Sequence, residues 1–157
     1  MRELISYIVC HEAFTEGVAW KRRRLKAGES VIKKGEIGKT LFFVEEGCVR
    51  ILGDAEIGDN RKISPGLCDL NSGAIFGDIC LFGSHQRTAS VVALSDVVLL
   101  EIDSEMLSIF LDEHPQQGYY FLKSLFQVMA DRLKLANDRI ENLLIWGLKA
   151  HDIDKYL

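Results

Sequence analysis

Phe76-Gly77-Asp78-Ile79-Cys80-Leu81-Phe82-Gly83-Ser84-His85-Gln86-Arg87-Thr88-Ala89-Ser90-Val91 sets a glycine turn, an acid, a short apolar segment and one arginine inside a β-rich chain. These groups together suit a small sugar phosphate. The turn exposes backbone N–H groups, and the residues after it can form one helical turn whose start attracts anions. The acid can accept a hydrogen bond from a ribose hydroxyl, and the arginine can fork onto phosphate oxygens. No other segment gathers so many ligand-binding groups.

On either side of this stretch, residues 25 to 103 read as short strands broken by glycine turns. Leu41 to Val44 and Cys48 to Leu52 flank Glu46-Gly47, a pattern that predicts a tight hairpin. Ala89 to Leu94 and Val97 to Ile102 flank Ser95-Asp96 and predict another. Gly53-Asp54 and Gly58-Asp59-Asn60 mark a longer excursion. Strands this short, with this turn density, point to a β-sandwich or jelly roll. Before them, residues 3 to 19 read as a helix or helical turns. Lys21-Arg22-Arg23-Arg24 reads as the solvated start of a strand, since acidic neighbours dilute the patch.

The pattern changes after the strands. Ser104 to Glu113 reads as a short helix with Asp103 or Ser104 as N-cap. From Gln116 to Gly147 the apolar residues Leu122, Phe126, Met129, Leu133, Ala136, Ile140, Leu143 and Gly147 alternate spacings of four and three, a heptad seam. A helix of that length runs about 48 Å. A single small β-roll cannot cover it, so the seam calls for a second helix, most simply that of another copy. The segments expected are a helical one over residues 1–19, a β-roll over 20–114, and a long helix with its tail over 115–157.

Composition bounds the function. The chain has 157 residues, 48% hydrophobic and 27% charged, enough for one domain with a real core. No apolar run approaches the ~20 residues of a membrane-spanning helix, and the start lacks the marks of a signal peptide. The expected location is cytoplasmic, away from the membrane. Cys10, Cys48, Cys68 and Cys80 include no Cys-x-x-Cys pair, and His11, His85, His114 and His151 are scattered in sequence. No metal, no cofactor and no nucleophile–base pair are expected, so the chain is not read as an enzyme. A net charge of −4 gives no overall attraction to nucleic acid.

The quoted stretch resembles the phosphate-binding cassette of cyclic nucleotide-binding domains, the family found in bacterial catabolite activators, protein kinase A regulatory subunits and cyclic-nucleotide-gated channels. The family pattern is Phe-Gly-Glu, about eight residues, then Arg-(Ala/Ser/Thr)-Ala. Eight residues separate Asp78 from Arg87. Ala27-Gly28-Glu29, Gly35-Glu36-Ile37-Gly38 and Leu41-Phe42-Phe43-Val44-Glu45-Glu46-Gly47 are similar to the family's early strands, so the likeness spans residues 20 to 147. It implies an eight-stranded β-roll, a double-stranded β-helix jelly roll, with flanking helices and a long C-terminal dimerisation helix. It implies a ligand, cAMP or cGMP, held by Gly77, Asp78, Ile79, Cys80, Arg87 and Thr88 under the long helix.

Arg87 takes the phosphate in that reading, and the backbone at Gly77, Ile79 and Cys80 approaches phosphate and ribose. Asp78 stands where the family has Glu, one methylene shorter in its reach to the ribose. The Thr88 hydroxyl can meet the phosphate or a guanine amino group, which leaves both nucleotides open. Ala136-Asn137 falls where the catabolite activator carries a threonine–serine pair against adenine, and Asn137 can offer an amide to the base. The expected assembly is a homodimeric sensor that passes its signal to a downstream protein partner. Ten residues follow Gly147, too few for a helix-turn-helix. Phe121 to Leu157 holds six Lys/Arg against five Asp/Glu, not a basic stripe, so direct DNA binding is not expected. The alternative is a degenerate β-roll that binds no cyclic nucleotide and serves as a dimerising interaction domain.

Overall fold

The computed structural model describes residues 1–57, 61–83 and 85–150. Gly58-Asp59-Asn60 of the expected excursion, Ser84 of the quoted stretch and His151 lie outside the described residues. The strands are β1 (Trp20–Leu25), β2 (Ser30–Ile32), β3 (Ile37–Gly38), β4 (Thr40–Glu46), β5 (Cys48–Leu52), β6 (Ala55–Ile57), β7 (Arg61–Ile63), β8 (Gly66–Asn71), β9 (Ile75–Phe76), β10 (His85–Gln86), β11 (Ser90–Ala93) and β12 (Val97–Asp103). Eight of them form two four-stranded sheets, in the orders β1-β12-β4-β9 and β2-β11-β5-β8. β3 with β10, and β6 with β7, form two short ribbons. This is the mainly β jelly roll expected from the sequence.

The two sheets enclose one apolar core. Phe42, Val44, Phe76, Val97 and Leu99 from the first meet Val31, Ile32, Val49, Val91 and Ala93 from the second. β4 reads Leu41-Phe42-Phe43-Val44 without a polar break because both its faces are covered. Its other face aligns Leu41 with Ile102 and Phe43 with Leu100 across the β4–β12 register. The helix α1 (Arg2–Val9) lies over that face, where Ser6 and Val9 share a cleft with Phe43 and Leu100. Each such side chain, fully buried, contributes about 1.5–3 kcal/mol.

Both expected hairpins are corners instead. β4 pairs with β12 and β9, while β5 pairs with β11 and β8, so the turn at Gly47 carries the chain from one sheet to the other. Ser95-Asp96 does the same between β11 and β12. The two corners bind each other: Leu94 N–H donates to Cys48 O at 2.9 Å, and Cys48 N–H to Ser95 Oγ at 3.1 Å. Gly47 has φ 83°, and a Cβ there would collide with Asp96 O. Glycine is therefore required by the meeting of two corners, not by a two-residue loop.

Of the helix or helical turns expected over residues 3–19, the helix takes only the first part. It ends at Val9, and turns carry the chain to buried Phe14, whose carbonyl accepts from Trp20 Nε1 at 3.0 Å. The basic run lies on β1 as read from sequence. Arg22 forks onto Glu45 at 2.6 and 3.0 Å, and Arg23 reaches the carbonyls of Ser30 and Val31. The helix α2 (Ser104–Glu113) is capped by Asp103, which accepts from Glu105 N–H at 3.0 Å and Met106 N–H at 2.9 Å. His11 and His114, distant in sequence, meet ring to ring at 4.7 Å within an aromatic cluster with Phe110. Among the described residues no group of three or more potential metal ligands occurs.

The helix α3 (Pro115–Ala150) extends a little beyond the predicted span at both ends, with proline in the first-turn position that tolerates it. The chain divides into two compact units, Met1–Gln117 and the part beginning at Gly118. In the second unit Gly118, Phe121 and Leu125 are buried, while the heptad positions Phe126, Leu133, Ile140 and Leu143 are 63–75% exposed. No helix is long and apolar enough to cross a membrane, among the described residues.

Candidate functional site

Phe76 ends β9, and Gly77 turns the chain with φ 73° and ψ 12°, a left-handed conformation that glycine adopts without penalty. A single 3-10 turn, Asp78–Phe82, follows, and Gly83 closes it at φ 130°. The chain then pairs with β3 through β10 and reaches Arg87. The backbone of Arg87 is clamped to the turn before β3: its N–H donates to Glu36 O and its carbonyl accepts from Gly35 N–H, both at 2.8 Å. These bonds fix where the arginine leaves the main chain.

The half-buried Arg87 side chain lies in a cradle from three strands. Nη2 donates to Thr40 O at 2.6 Å and to Thr40 Oγ1 at 3.1 Å, and Nη1 donates to Gly77 O at 3.3 Å. The guanidinium carbon lies 5.7 Å from the centre of the Phe42 ring, which stacks on Phe76. Gly38 and Gly77 leave the space. A Cβ on Gly38 would overlap the guanidinium, and one on Gly77 would stand 2.8 Å from Nη1. The Arg87 acceptors Thr40 O, Thr40 Oγ1 and Gly77 O are uncharged, and the buried Asp78 lies on the adjoining 3-10 turn.

The remaining sequence-predicted residues divide into groups. Asp78 is buried at 4% exposure and Cys80 at 5%. Burial pushes the Cys80 thiol up, partly offset by a hydrogen bond with Ser104 and by the nearby Arg87 charge. A thiol held protonated is a poor nucleophile. Ile79 between them is 47% exposed, so it is not the core side chain its apolar character suggests. Thr88 is exposed beside Arg87. Asn137 is exposed on α3, in the unit that begins at Gly118. Gly77, Asp78, Cys80 and Arg87 are thus gathered around one turn. Sequence reading missed Thr40 as a partner of Arg87, because one threonine ahead of an apolar strand carries no signal of its own.

The β-roll thus holds a half-buried arginine in a glycine-walled cradle, beside a 3-10 turn that opens on a left-handed glycine. Residues 22–114 match the profile of the cyclic nucleotide-binding domain. The chain belongs to this family. It is 34% identical over 112 residues to the human cyclic nucleotide-gated channel beta-3, a match covering 69% of this chain and 13% of the channel. Two solved structures share the fold. One is CLP from Xanthomonas campestris, described as a c-di-GMP-responsive global regulator, with a TM-score of 0.68 at 24% identity over 85% of this chain and 59% of that one. The other is a cyclic nucleotide-binding domain from Methylobacillus flagellatus, with a TM-score of 0.67 at 21% identity over 78% of this chain and 66% of that one.

Proposed function

We propose that this chain is a regulatory sensor that binds cAMP or cGMP and works as a homodimer through α3, without catalysis and without contacting DNA itself. The observation that carries the ligand is Arg87, a half-buried cation held by Thr40 and the Gly77 carbonyl in a cradle whose space Gly38 and Gly77 leave. A cyclic phosphate is a monoanion with two free oxygens, which matches a guanidinium fork. Gly77, Ile79 and Cys80 offer backbone to the phosphate and ribose, Asp78 its carboxylate to the ribose, and Thr88 its hydroxyl. Asn137 presents an amide to the base. The exposed seam of α3 supports the dimer, since four large apolar side chains at heptad positions are 63–75% exposed in the single chain. The signal then passes to a protein partner, in the cytoplasm. The three proposed segments are residues 1–19, 20–114 and 115–157.

One observation favours a second reading, a β-roll that dimerises and binds no nucleotide. Asp78 is one methylene shorter than the family's Glu and is buried at 4% exposure, which limits its reach to a ribose. Calorimetric titration with cAMP, cGMP and 5′-AMP separates the two. Saturable heat with a cyclic nucleotide, and none with 5′-AMP, is the expected result. No heat from folded protein would leave the second reading.

A further inference from the structure

An arginine side chain has many rotamers, and a fork that meets two phosphate oxygens at once must be held in one plane. Two of the oxygen acceptors of Arg87 are backbone carbonyls, which any residue at positions 40 and 77 would supply. Another, Thr40 Oγ1, depends on the side chain at that position. Thr40 opens β4 opposite Asp103 of β12, so its own backbone is set by the sheet. Thr40 O and Oγ1 both accept from Nη2, so that end of the guanidinium faces the threonine.

We propose that Thr40 is the positioning residue of the anion site: its carbonyl and hydroxyl lock the Nη2 end of Arg87, so that the Nε and Nη1 side of the fork meets the phosphate. The proposal rests on the cyclic-nucleotide reading above. Gly38 is the second half of the device. It is buried, and a Cβ there would occupy the space of the Arg87 Nε and Cζ atoms. An alanine at 38 therefore evicts the guanidinium. Valine at position 40 keeps the shape of threonine and the carbonyl but removes Oγ1, leaving one Nη2 hydrogen to seek another acceptor. Serine at 40 keeps Oγ1.

The experiment compares Thr40→Val, Thr40→Ser and Gly38→Ala with wild type in two measurements. The first is the calorimetric Kd for whichever of cAMP and cGMP binds tighter. The second is the NMR signal of the Arg87 guanidinium without added nucleotide, which reports rotation about its Cζ–Nε bond. Thr40→Val is expected to weaken binding about three- to tenfold, the range of one lost hydrogen bond, at an unchanged melting temperature. Thr40→Ser stays within about twofold of wild type, and Gly38→Ala weakens binding more than Thr40→Val. The Arg87 Nη protons are resolved in wild type and Thr40→Ser and averaged in Thr40→Val. Wild-type affinity in Thr40→Val, or equal losses in Val and Ser, would overturn the proposal. A wild type that binds neither nucleotide overturns the ligand reading. In that protein, Nη signals that are resolved in wild type and collapse only in Thr40→Val would still uphold Thr40 as the holder of Arg87, while averaged wild-type signals would overturn that as well.

Discussion

Arg87 and Gly77 could be singled out in one dimension, because a turn glycine and an arginine ten residues on fit the cassette pattern they resemble. Their surroundings could not. Gly38, Thr40 and Phe42 touch the guanidinium from β3 and β4, and that meeting exists only once the sheets have formed. Two predictions belong to single residues. Gly77→Ala forces a side chain into a left-handed backbone, at about 1–2 kcal/mol, and sets its Cβ 2.8 Å from Arg87 Nη1. It should lower both the melting temperature and nucleotide affinity, read by thermal denaturation and by titration. Cys80, buried and with its thiol pushed up by burial, should react with iodoacetamide far more slowly than exposed Cys10. Mass spectrometry of a labelling time course reads the order, and an equal rate would contradict the burial of Cys80.

At the scale of elements, period and capping were legible and strand partners were not. The cap of α2 was readable to within two residues, Asp103 or Ser104, because a cap is local chemistry, and Asp103 is the one that caps. Asp103→Ala should destabilise the fold by about 1 kcal/mol, measured by urea denaturation. Gly47 and Ser95-Asp96 have the turn residues of hairpins yet make corners, since the choice between pairing with a neighbour and crossing to the other sheet is settled by the core. The β5–β8 ladder gives a pH prediction. Arg50 sits opposite Asp69 and forks onto it at 2.6 and 2.7 Å, holding the carboxyl below its usual range. A carboxylate whose pKa is lowered by folding stabilises above the ordinary carboxylate range, and that contribution is lost as pH falls through the lowered value. The melting temperatures of wild type and Asp69→Asn should differ slightly at neutral pH and converge in strong acid. The pair is exposed, so the gap is small.

For the whole molecule, the heptad seam of α3 was read from spacing and is found exposed on a continuous helix. In the proposed reading a second copy covers it and the protein is a dimer. Sedimentation should give a dimer for wild type and a monomer for the Leu133→Glu, Ile140→Glu pair, whose side chains place charge in the seam. A wild-type monomer at micromolar concentration would remove that inference and leave the anion site untouched. The proposed anion site turns on Arg87, and its most direct test is titration of wild type and Arg87→Ala with the same cyclic nucleotide. Truncating one member of a hydrogen-bonded charge pair removes about 2 kcal/mol or more, so affinity should fall about thirtyfold or beyond while the fold persists. Equal affinity in the two proteins would contradict the account.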